Sequence, residues 1–84
     1  MTLPSEPVTL SVEQIRELNQ NLTELRHDVN NNVALMLSAL EIMRRRPESA
    51  EKMLESFARQ PQRIIDGVKQ FSKTLENALG IIRP

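Results

Sequence analysis

The spacing of its apolar residues constrains this chain more than any other feature. From Val12 they recur in threes and fours through Ile15, Leu18, Leu22, Leu25, Val29, Met36, Ala39 and Met43, and Asn32 occupies one place in the series. Such a repeat of seven, with two core positions, marks one face of a long helix. Ile15, Leu22, Val29, Met36 and Met43 hold one core position; Leu18, Leu25, Asn32 and Ala39 hold the other. Beyond Val29 the stripe widens through Val33, Leu37 and Leu40, as in a helix with more than one neighbour. A second series reads Ala50, Leu54, Phe57, Pro61, Ile64, Val68, Phe71, Leu75, Ala78 and Ile82.

Between the two series, Arg44, Arg45 and Arg46 meet Pro47 and Glu48. Cations suit a helix C-terminus, whereas proline and an acid suit the first turn of the next helix. So short a connection makes the helices antiparallel. Ser11 followed by Gln14 reads as a capping box, and Gly80 is a natural stop. The expected organisation is a flexible segment over residues 1–10, a helical hairpin over 11–80 and a tail over 81–84. Within the hairpin, helix 1 spans about 11–45 and helix 2 about 47–79.

A hairpin within 84 residues encloses little core, and without cysteine no disulfide or thiolate metal site compensates for that. Association is the remaining way to bury apolar surface. The expected fold is therefore all-α, an antiparallel two-helix hairpin forming a dimeric four-helix bundle. The 11 basic and 11 acidic residues balance, which argues against nucleic acid or an anionic membrane as partner. With Phe57 and Phe71 the only aromatic residues, base stacking is disfavoured as well. The longest apolar run, Val33 to Leu37, is too short to span a bilayer. The N-terminus lacks the basic-then-apolar order of a signal peptide, so a cytoplasmic protein is expected.

Three local features break helical rules. Pro61 removes a backbone donor from helix 2, and Gly67 is unfavourable in a helix interior. Asn30, Asn31 and Asn32 are poor helix formers in the middle of helix 1. The last of these occupies a core position, where a buried asparagine commonly fixes register or oligomer state. Two residues before Val29, on the face opposite the seam, stands the single histidine, His27. Asp28 adjoins it, and Asn31 follows one turn later on the same face.

The segment Leu25-Arg26-His27-Asp28-Val29-Asn30-Asn31, followed by apolar helix, resembles the histidine box of sensor histidine kinases, in the variants that read His-Asp-x-Asn-Asn. The hairpin as a whole resembles the dimerisation and phosphotransfer domain of that family. The resemblance implies that His27 is a phosphoacceptor and that Asp28 orients the imidazole and takes its proton. It implies that Asn31 assists hydrolysis of a phosphorylated regulator. The chemistry is consistent, since a neutral imidazole is a nucleophile and an amide one turn away can hold a water for in-line attack. Two departures stand out. Asn32 replaces the proline that many such kinases carry five residues after the histidine, and nothing resembles a nucleotide-binding box. No ATP-dependent kinase activity is expected of this chain alone.

The function expected from the resemblance is phosphotransfer, with His27 exchanging a phosphoryl group with a response-regulator receiver domain. No cofactor is expected on this chain, and Mg2+ is expected only on the receiver. The expected partners are a second copy, a receiver domain or a histidine kinase. The alternative is a non-catalytic helical adaptor or decoy for a kinase or receiver. Counting from the turn places His27 level with Asp66 and Gly67, so the partner-binding surface is expected to take in Asn30, Asp66, Gly67 and Gln70. The missing side chain at Gly67 is expected to leave a gap beside the histidine, and Gly67→Leu to weaken receiver binding without loss of dimer stability. Asn32 is expected opposite Pro61, donating to the carbonyl of Phe57 that Pro61 leaves free.

Overall fold

The structure, a computed structural model, describes residues 2–81; Ile82 of the second series, with Arg83 and Pro84 of the expected tail, lies outside the described residues. Two helices, α1 (Val12–Arg45) and α2 (Ala50–Leu79), pack against each other through a single 3₁₀ turn at Pro47–Ser49. The capping box at the start of α1 forms in full. Ser11 Oγ accepts from the Gln14 backbone at 3.1 Å, and Gln14 Oε1 accepts from the Ser11 backbone at 2.8 Å. This satisfies two backbone donors that a helix start leaves without partners. At the other end Arg46 leaves helical geometry (φ −133°, ψ 81°), as the residue before a proline must. The Ser49 backbone then donates to the Arg46 carbonyl at 2.9 Å and closes the turn. Gly80 adopts the left-handed conformation (φ 68°), so that the Ile81 backbone reaches back to the Glu76 carbonyl and ends α2.

With extents of 58 × 27 × 12 Å, the hairpin is a slab one helix thick. Such a slab has two broad sides and no interior. Among the described residues Ala39 is the one buried apolar residue, at 3% exposure, and the two other buried residues are the amides Asn32 (8%) and Gln60 (3%). Apolar side chains of both seams are half-covered, Val29, Met36, Phe57, Ile64 and Phe71 among them.

Gly67 and Leu25 mark the register of the two helices. A β-carbon added at Gly67 would stand 3.1 Å from Leu25 Cδ1, so the absent side chain is what admits Leu25. One heptad nearer the turn, the same register brings Asn32 level with Gln60, and a second brings Ala39 level with Met53. The residues of α2 that face α1 are thus Met53, Gln60, Gly67 and Thr74, a column spaced by sevens, flanked by Phe57, Ile64 and Phe71.

Three expectations change accordingly. Pro61 is exposed, and Gln60 takes the buried place opposite Asn32. The Asn32 amide makes no hydrogen bond to Phe57; instead Gln60 Nε2 donates to the Ser56 carbonyl at 3.1 Å, leaving Gln60 Oε1 buried without a partner among the described residues. A leucine at Gly67 starts from a β-carbon already 3.1 Å from Leu25 Cδ1, so Leu25 must shift to admit it. Gly67→Leu is expected to destabilise the fold by about 1–3 kcal/mol through overpacking. Gly67→Ala asks Leu25 to yield by a few tenths of an ångström and gains helix propensity, so it should be near neutral. Urea unfolding of the two variants measures the difference.

Candidate functional site

His27 and Asp28 sit at the middle of α1, where the helix runs unbroken through the three asparagines. Capping at Ser11 and burial of the Leu25, Val29 and Asn32 positions hold this stretch helical despite its weak propensity. The helical phase that turns Leu25 and Val29 onto α2 turns His27 outward, and its side chain is 84% exposed. Asp28, 72% exposed, lies one position round the helix toward α2.

His27 Nδ1 is 3.7 Å from Asp28 Oδ1. That is too long for a hydrogen bond. The other nearby carboxylate, Glu24, one turn earlier, accepts from Gln20 Nε2 at 3.0 Å along its own helix. Asp28 is therefore the acid beside the imidazole, and the Nε2 edge of the ring faces solvent with no partner among the described residues. Asn31 is exposed one turn on, on the His27 face.

Beside Asp28 a shallow depression of about 300 Å³ runs between the helices, lined by Asn21, Asp28, Gly67, Gln70 and Thr74 among others. It brings together Asp28 from α1 with Gly67 and Gln70 from α2. His27 and Asn31 do not line it. Asp66 is exposed outside it, its carboxylate held by Gln62 Nε2 at 2.8 Å. Asn30 falls toward the opposite broad side of the slab, in one row with Val33 and Leu37. Gln60, which reasoning on apolar spacing passed over, is buried two turns nearer the turn end. The signal for it was the step of seven from Gly67.

No group of three or more histidine, cysteine, aspartate or glutamate side chains able to hold a metal occurs among the described residues. No helix is long and apolar enough to cross a membrane. No protein-family model matches the chain, and no curated protein or solved structure does either.

Proposed function

We propose that the protein is a histidine phosphotransfer protein: a dimeric four-helix bundle that accepts a phosphoryl group on His27 and exchanges it with a response-regulator receiver domain. The observation that carries the reading is an imidazole 84% exposed on a rigid helix with one carboxylate 3.7 Å from its Nδ1. In the forward step Nε2 attacks the phosphorus of an aspartyl phosphate. The N–P bond forms, the P–O bond to the aspartate breaks, and the electron pair leaves with that carboxylate. Asp28 holds the Nδ1 proton, fixes the tautomer that leaves Nε2 nucleophilic, and steadies the cationic ring as phosphorus is bound. Return of the phosphoryl group to the receiver is the same path reversed. The box resemblance around His27, Asp28, Asn30 and Asn31 supports the same chemistry, and the depression beside Asp28 offers the partner a surface at Gly67 and Gln70.

The test is to incubate the protein with a phosphorylated receiver domain, or with a kinase, and look for acid-labile, base-stable label. A folded dimer that takes no label from any receiver or kinase offered would leave the adaptor reading in its place. Asp28→Asn is expected to keep the fold and slow labelling by on the order of 10- to 100-fold, since the amide neither holds the proton as strongly nor balances the ring's charge. Asn31→Ala should label normally and instead slow loss of phosphate from the receiver. A time course of both phosphoproteins separates the two effects.

A further inference from the structure

Burial in the hairpin is confined to the half near the turn. The three buried residues among those described, Ala39, Asn32 and Gln60, all lie at the level of the two amides or on its turn side. Farther out, no described residue of α1 before Asn32 or of α2 after Gln60 is buried. The column of α2 that faces α1 there is Gly67 and Thr74, one residue without a side chain and one with a short one. Little surface therefore holds the outer part of α2 to α1. The boundary itself is polar. Gln60 donates from Nε2 to the Ser56 carbonyl at 3.1 Å, while its Oε1 lies buried with no partner among the described residues. A buried acceptor in that state is destabilising, and it regains water as soon as the helices part. The next residue is Pro61, which has no backbone hydrogen to give the Phe57 carbonyl, so α2 lacks one helical bond at the same level.

We infer that α2 works in two parts: residues 50–60 stay docked on α1, and residues 62–79 undock from it as a unit about Pro61, with Gln60 as the latch. Three separate causes place the break at one level. Burial ends there, an acceptor waits there for water, and the backbone of α2 is one bond short there. On the turn side, buried Ala39 and the short connection oppose the same movement. The depression beside Asp28 takes one wall from α1 and the other from Gly67, Gln70, Phe71 and Thr74, all on the outer part of α2. Undocking parts these walls. The surface is therefore whole only in the docked state, and a partner that binds it holds α2 down. That consequence rests on the partner surface proposed above, whereas the undocking itself does not depend on the chemistry of His27.

Hydrogen exchange of the full chain, read residue by residue, tests the inference. Once undocked, the outer part of α2 is short enough to be marginal as a free helix in water, so its amides exchange. Ile64, Gly67, Phe71 and Leu75 are expected to share one rate, and the rate is expected to drop in a step between Ile64 and Phe57. A smooth gradient toward the turn, or one rate along all of α2, overturns the inference. Gln60→Met keeps the length of the side chain and removes the buried acceptor. It should slow exchange across the outer part by on the order of 10-fold. Pro61→Ala restores a donor to the Phe57 carbonyl and should slow it as well. An outer part that exchanges as fast in both variants as in the parent overturns the roles given to Gln60 and Pro61. A chain that shows the step but takes no label on His27 would sink the phosphotransfer reading alone. Label on His27 in a chain without the step would sink the undocking alone.

Discussion

His27→Ala is expected to abolish phosphoryl acceptance outright, while circular dichroism and the mass of the assembly stay unchanged. The chain has one histidine, so no second imidazole can substitute. The effect on structure should be small because the side chain is 84% exposed and its one near partner among the described residues is Asp28, itself 72% exposed. Surface substitutions of that kind usually alter stability by about 0.5 kcal/mol or less. Residual acid-labile label on His27→Ala would place the phosphoacceptor on another protein in the mixture, and a loss of helix would mean that the ring has a packing role.

The second large effect is expected at Leu37, an apolar side chain that the hairpin leaves 61% exposed. Within one chain, Leu37→Glu touches nothing and would be harmless. If a second copy covers it, the substitution puts a carboxylate into an apolar contact twice per dimer. An unpaired buried charge commonly costs about 3–5 kcal/mol. A domain of this size has roughly 4–12 kcal/mol in all. Helical signal at micromolar concentration should therefore fall sharply, and rise again as protein is concentrated, because folding and association are linked. Helicity that is unchanged and independent of concentration would show that the hairpin stands alone.

How far the sequence revealed this arrangement depended on which residues the packing needed. Long apolar repeats, the capping pair Ser11 and Gln14, and Pro47 after three arginines each have a local cause, and the two helices and their turn follow from them. His27 could be placed outward because its neighbours Leu25 and Val29 fix the helical phase. On α2 the apolar series pointed to Leu54, Pro61 and Val68 as seam residues, yet these lie on the open side. Close approach to α1 needs small or narrow residues, and Gly67 and Thr74 carry no apolar signal; nor does Gln60. A helix with two neighbours shows one broad stripe, and hydrophobicity alone does not divide it between them. The distance between His27 and Asp28 was equally beyond reach, since it depends on side-chain rotation.

The short turn has a kinetic consequence. Residues beside Pro47 that must meet are near one another along the chain, whereas Leu18 and Thr74, which line one depression, are almost a whole hairpin apart. Closing a long loop costs more entropy than closing a short one, so helix pairing is expected to begin at the turn and zip outward. The pairing front reaches Ala39 and Met53 first, then the amides Asn32 and Gln60, and only afterwards Leu25 and Gly67. The stretch that carries His27 thus closes after the Ala39 and Asn32 levels and, by the same order reversed, opens before them. Amide hydrogens near Leu18 and Thr74 should exchange faster than those near Ala39 and Met53.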